Sequence, residues 1–221
     1  MREPRNNTRL FNFLRNQYRA MEPIYQIMTF GETKYEILQS ALTPQLLRQL
    51  QIQTQMLEDV VCHNANTIPK MYCFGDPQVA NSFAYYGSLA SESVLVLIQP
   101  LIELAVGKRL HPTYSYMRIY YKDADLKRHT DRPSCEYSAT LCIKCDPTNP
   151  WPIKLIDANN LEVSAALGEG DLLIYKGDEL VHWREPCQYD KHIQFFLHYV
   201  DADGPHADHK YDTRPMLGLP K

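Results

Sequence analysis

Three residues combine type and spacing in a way that carries chemistry. His129-Thr130-Asp131 sets an imidazole and a carboxylate at i and i+2, and on an extended strand two such side chains leave the same face. His182 follows the strand-like stretch GDLLIYKGDELV, which can return the chain beside that pair. Two imidazoles and one carboxylate on one side of an ion leave its remaining positions open for a co-substrate and O2, and this donor set suits Fe(II). Neutral imidazole is the ligating form, so neither histidine needs to be charged at neutral pH. An HxD tripeptide also recurs by chance, and a lone histidine near a strand is often only hydrogen-bonded, so the three residues need a frame that brings them together.

That frame is written in the change of rhythm along the chain. From 113 to 200 the sequence runs in short β-type stretches, 114–121, 137–144, 153–157, 172–175 and 192–200, separated by polar, glycine or proline punctuation. Several short strands at close spacing predict a sandwich or barrel. The preceding third reads as helical support. Thr43-Pro44 pairs a capping residue with a proline at the first helical position, and Leu46, Leu47 and Leu50 make a stripe, which predicts a helix from 44 to about 57. Ser91 and Glu92 open a second pattern with Leu95, Ile98, Ile102 and Ala105; Pro100 is expected to kink it and Gly107 to end it. The mixed segment 10–21 receives no role. The tail, 201–221, rich in Pro, Gly and charge, is expected to cover the core. One structural domain results: a supporting segment over 1–112, a β core over 113–200 and a covering tail.

Composition excludes several classes. With 44% hydrophobic and 22% charged residues among 221, the chain is globular rather than disordered or fibrous. Lys plus Arg number 23 against 26 Asp plus Glu, a net charge of −3, which is not the balance of a nucleic-acid binder. The longest aliphatic run, 94–98, is far short of the ~20 residues of a membrane span, and MREPRNNTRL has no apolar signal core. The expectation is a cytoplasmic protein with no membrane partner. Six cysteines are too sparse for a disulfide scaffold. Cys142 and Cys145 form a CxxC with no second pair, and on a regular strand they point to opposite faces, so packing is the expected role. His206 and His209 are expected to be solvated, and Trp151 and Trp183 to pack or line the rim.

The β half resembles the double-stranded β-helix core of the Fe(II)- and 2-oxoglutarate-dependent dioxygenases, in particular the prolyl-4-hydroxylase-like branch. RIYYKDADLKRHTDR resembles that branch's arginine-tyrosine strand, turn and HxD, although Asp123 stands where a glycine is usual. GEGDLLIYKGDELVHWREP resembles its Gly-Asp strand and distal histidine, and KHIQFFLHYV its closing strand. The resemblance implies an α+β fold with a jelly-roll, cupin-like core and N-terminal supporting helices. It implies an oxygenase that hydroxylates an unactivated C–H bond and converts 2-oxoglutarate to succinate and CO2, with Fe(II) on His129, Asp131 and His182. Ascorbate is a candidate reductant. The substrate is peptidyl, with a prolyl residue as one case, or a small molecule. Two other readings stand beside this one, a non-catalytic β-barrel binding module and a metal-dependent cupin-type enzyme that does not use 2-oxoglutarate.

The resemblance also assigns the co-substrate. A basic residue a set distance beyond the distal histidine clamps the far carboxylate, and Lys191 is first choice; His192 is the alternative, since neighbours on a strand face opposite sides. Gln194, Phe196 and His198 fall in His192's register. Tyr120 matches the tyrosine that hydrogen-bonds 2-oxoglutarate, with Arg118 and Tyr116 on its side of the strand. Arg132 and Arg184, close behind the ligands, are expected to face away from them at the barrel rim, as substrate-holding candidates or as solvated charge.

Overall fold

The computed structural model describes residues 30–63, 72–74 and 77–219; the segment 10–21 lies outside them. Helices are α1 (Phe30–Thr33), α2 (Pro44–His63) and α3 (Leu89–Val106). Strands are β1 (Tyr35–Leu38), β2 (Tyr72–Phe74), β3 (Ser82–Tyr86), β4 (Leu110–Tyr121), β5 (Leu126–His129), β6 (Tyr137–Lys144), β7 (Ile153–Ile156), β8 (Glu162–Ala165), β9 (Leu172–Tyr175), β10 (His182–Arg184) and β11 (Lys191–Asp201). Two 3-10 turns, Pro133–Cys135 and Ala207–Thr213, follow β5 and β11.

The strands form two antiparallel sheets, β1-β9-β6-β11-β4-β3-β2 and β5-β10-β7-β8, which is the double-stranded β-helix. The alternation along β11 shows how the larger sheet serves two cores. Ile193, Phe195, Leu197 and Tyr199 join Leu50, Val94, Leu95, Ile98 and Ile102 in the layer between sheet and helices. His192, Gln194, Phe196 and His198 take the opposite face, toward the smaller sheet. The β4 partners of those four residues are Tyr120, Arg118, Tyr116 and Tyr114, so one strip of polar and aromatic side chains runs along the barrel interior.

The helices form where the sequence places their signals. Thr43 Oγ1 accepts from Leu46 N–H (3.3 Å) at the start of α2. Ser88 caps α3 by accepting from Ser91 N–H (3.1 Å), and Gly107, at φ 71°, ends it in the left-handed region. The α3 stripe Val94, Leu95, Ile98, Ile102 and Ala105 is buried on the sheet, while Leu89, Val96, Leu97 and Leu104 are exposed. By length and apolarity α3 would pass for a membrane span; its apolar character comes partly from the buried face and partly from these exposed side chains.

Three readings change. The N-terminal third contributes three strands besides its helices, because β1 and β3 find partners in β9 and β4 that lie too far away in sequence to be read locally. Asp123, at φ 66°, occupies a left-handed turn position, which is why a glycine is usual there. Cys142 and Cys145 do not oppose one another: a bulge at Ile143 shifts the β6 register from Gln194–Cys142 to Ile193–Lys144, and the reversed phase buries both thiols in one cluster.

Candidate metal centre

Strand pairing assembles the three sequence-predicted ligands. His182 on β10 stands opposite His129 on β5, and their rings lie 4.3 Å apart. Asp131 lies just beyond the end of β5, held by its N–H to Gly177 O (2.8 Å). Its Oδ1 is 3.6 Å from Nε2 of each histidine, and one donor atom from each residue falls within 4.8 Å of the others. The remaining atoms are occupied in a way that aims those three. Each histidine turns Nδ1 to a backbone carbonyl two residues back, His129 to Lys127 O (2.8 Å) and His182 to Leu180 O (2.9 Å). With Nδ1–H donating, Nε2 is the free lone pair. Ser138 Oγ donates to Asp131 Oδ2 (2.8 Å), leaving Oδ1 for an ion. Two neutral imidazoles and a carboxylate fit a divalent cation of the Fe(II) type.

The electrostatics differ among the three groups. Burial alone would raise the Asp131 carboxyl, but the adjacent His129, the imidazoles of His182 and His198, and the Ser138 hydroxyl outweigh it and hold it at about 2. Burial pushes His182 below its ordinary value. Burial also lowers His129, but the neighbouring Asp131 carboxylate and the Lys127 carbonyl outweigh that and leave it raised.

A cavity of about 190 Å³ opens over the three ligands, bounded by Tyr114, Tyr116, Arg118, Tyr175, Phe196 and His198 among others. Tyr114, Tyr175 and Gln78, which also line it, are not singled out in the sequence. Tyr175 Oη lies 3.4 Å from His182 Nε2, and His198, packed 4.5 Å from the Tyr114 ring, reaches Ser138 Oγ with Nδ1 (3.0 Å). Gln78, between β2 and β3, donates through Nε2 to His129 Nε2 (2.9 Å), a bond that an ion at this nitrogen would replace. The alternation of Gln194, Phe196 and His198 is the sequence signal for His198; for Gln78 and Tyr175 there is none.

The co-substrate assignments need correction. Lys191 does not face the interior. Opposite Tyr121 on β4, it shares that residue's outward phase and pairs with Glu58 on α2 at 2.6 Å. His192 is the residue inside, fully buried, with Nε2 2.7 Å from Gln194 Nε2 and its ring edge-on to Trp151 at 5.2 Å. Burial and the nearby Arg184 push it well below its ordinary value, so it is neutral and offers no charge. Tyr120 is interior as expected, its hydroxyl accepting from Arg118 Nη1 (3.4 Å). Arg132 is exposed at the rim, with Nη1 and Nη2 donating to the two oxygens of Asp212 at 2.8 and 2.9 Å. Arg184 reverses its expectation. Two residues beyond His182, across a register shift in the pairing with β5, it is 2% exposed, with its guanidinium beside the interior rings of Tyr120 and Trp151. Trp151 and Trp183 are buried, Trp183 beneath the Arg128 guanidinium.

The chain folds as a double-stranded β-helix with two histidines and an aspartate clustered at one cavity, and solved structures share that fold. No family model and no curated protein matches the chain. Among solved structures it is similar to a Pseudomonas putida prolyl-4-hydroxylase (TM-score 0.61, 14% identity, 78% of this chain and 95% of that one). It is similar to the non-heme alpha-ketoglutarate-dependent carbocyclase SnoK of nogalamycin biosynthesis (0.65, 13%, 91% and 94%). It is also similar to HygX from Streptomyces hygroscopicus, solved with nickel, 2-oxoglutarate and hygromycin B (0.60, 10%, 82% and 88%). At these identities the likeness shows the fold.

Proposed function

We propose that the protein is an Fe(II)- and 2-oxoglutarate-dependent oxygenase that hydroxylates an unactivated C–H bond. The observation that carries the reading is the convergence of Nε2 of His129, Nε2 of His182 and Oδ1 of Asp131 at the foot of an open cavity. When bound, Fe(II) with 2-oxoglutarate and O2 supplies the oxidising power, releasing succinate and CO2. The protein's part is positioning. The two backbone carbonyls fix the imidazoles and Ser138 fixes the carboxylate, so the donors are set before the ion arrives. Tyr114, Tyr116 and Phe196 give the cavity aromatic walls that narrow the access of water to the reacting carbon.

The prolyl-4-hydroxylase, the carbocyclase and the HygX complex with hygromycin B span very different substrates on one architecture. A peptidyl residue such as proline and a free small molecule are accordingly the two substrate classes to screen, with ascorbate as reductant. A reducing, cytoplasmic setting fits Fe(II) and the free thiols of Cys135, Cys142, Cys145 and Cys187.

Protein loaded anaerobically with Fe(II) and 2-oxoglutarate and then given O2 should form succinate slowly without substrate. His182→Ala should fold, bind no stoichiometric iron and form none. Iron-loaded wild type that leaves 2-oxoglutarate untouched would favour the cupin-type reading, and failure to bind iron would favour the non-catalytic module.

A further inference from the structure

Among the described residues, the interior of the barrel contains a buried charge with no ion-pair partner. Arg184 follows His182 at i+2 on β10 and is 2% exposed. Its guanidinium makes one hydrogen bond, from Nη1 to Trp151 O (2.7 Å), and stacks near the Trp151 ring (4.8 Å to the centroid). Nε and Nη2 are buried without a partner. Beyond burial itself, the groups that act on it most are Tyr120, Cys142, Tyr175 and Cys187, none of them a carboxylate, and the imidazoles of His182 and His192 also feel its charge. A buried guanidinium left this way costs several kcal/mol, and native structures rarely carry that cost without a use.

The two free donors also have a shape. Nε–H and one Nη–H of an arginine lie on a common edge and match the two oxygens of a carboxylate, a fork that lysine lacks. Nη1 is taken by Trp151, so the edge formed by Nε and Nη2 is the one left open. An i, i+2 step on a regular strand is about 6.6 Å, the length scale of a five-carbon diacid, and the pairing of β10 with β5 shifts register within this step. Among the described residues the other basic candidates are otherwise engaged or uncharged: Lys191 is outside on Glu58, His192 is neutral, and Arg118, which lines the cavity over the ligands, donates to Gln78 Oε1 (3.0 Å).

We propose that Arg184 on β10, rather than a residue of β11, is the anchor for the distal carboxylate of 2-oxoglutarate. This rests on the oxygenase reading above, and its test separates the two. Mn(II)-loaded protein is titrated calorimetrically with 2-oxoglutarate and with 2-oxopentanoate, which keeps the keto acid and chain length but ends in a methyl group. Wild type should prefer 2-oxoglutarate by about 100-fold, as expected for a buried charge-assisted pair. Arg184→Met should bind both alike, with Mn(II) affinity unchanged by paramagnetic resonance, while Lys191→Met keeps the wild-type preference. If Arg184→Met does not fold by circular dichroism, Arg184→Gln is read the same way. Preference surviving in the Arg184 variant, or lost instead in Lys191→Met or Arg118→Met, overturns the assignment. Wild type that binds Mn(II) but not 2-oxoglutarate overturns the oxygenase reading itself.

Discussion

His198 shows how much a single buried side chain can set. It sits inside the barrel against Tyr114, bonded to Ser138, and burial drives its imidazole down to about 4. A histidine depressed on folding binds its proton more tightly in the unfolded chain. Its contribution is therefore complete above the ordinary value near 6.5 and is lost as pH falls from there to about 4, on the order of 3 kcal/mol. The depressed His182 and His192 act in the same direction. Asp131, held at about 2, acts in a lower window, from about pH 4 down. Urea unfolding of the metal-free protein should thus lose stability between pH 6.5 and 4, and His198→Gln should flatten that slope; an unchanged slope would contradict a neutral buried His198. At this scale the cluster of His129, Asp131 and His182 was legible because HxD and a distal histidine are a pattern of residue type and spacing. The burial of Arg184 was not legible, since whether an arginine finds a counter-charge is a property of packing.

Among elements, the bend after β9 holds the carboxylate side of the site. Gly177 O accepts the Asp131 N–H, and Gly177 N–H donates to Glu136 O, so this residue ties the segments carrying Asp131 and Glu136. A Cβ there would stand 2.4 Å from Ser138 Oγ and 2.5 Å from both Asp131 Oδ2 and Cys135 O, separations that side chains do not tolerate without displacement. Gly177→Ala should cost roughly 1–3 kcal/mol in urea unfolding and weaken Mn(II) binding, because the atoms displaced are those that orient Asp131; undiminished metal affinity would mean that the loop yields elsewhere. Sequence rhythm located β6, β9 and β11 well, since each alternates or runs apolar between clear breaks. It did not fix phase. Lys191 and His192 are adjacent, and only the pairing of β11 with β4 decides that the histidine goes in and the lysine out. The bulge at Ile143 likewise reverses the CxxC geometry, and a bulge leaves no mark in composition.

For the molecule as a whole, the tail binds the helical layer to the mouth of the barrel. Tyr211, Asp212 and Thr213 are three successive residues in the left-handed region, at φ 57°, 55° and 64°, which costs each of these L-residues roughly 1 kcal/mol or more. The turn places Asp212 beneath Arg132 and the Tyr86 hydroxyl (2.8 Å) and directs Arg214 inward, where its Nη2 reaches Glu92 Oε1 at 2.6 Å and Thr113 O at 3.1 Å. Glu92 and Arg214 are both almost completely buried, so the first turn of α3, the start of β4 and the tail meet at one ion pair. Such a pair has an asymmetric energetic signature. Removing one partner strands the other charge away from water and should cost roughly 3–5 kcal/mol, whereas removing both charges costs much less. Arg214→Met and Glu92→Gln alone should each shift the urea midpoint far down, and the double variant should recover much of the loss. Additive losses in the double variant would show instead that the neutral hydrogen bonds to Thr113 and Leu219 carbonyls, which Arg214 also makes, hold the tail, and that the charges at its centre contribute little.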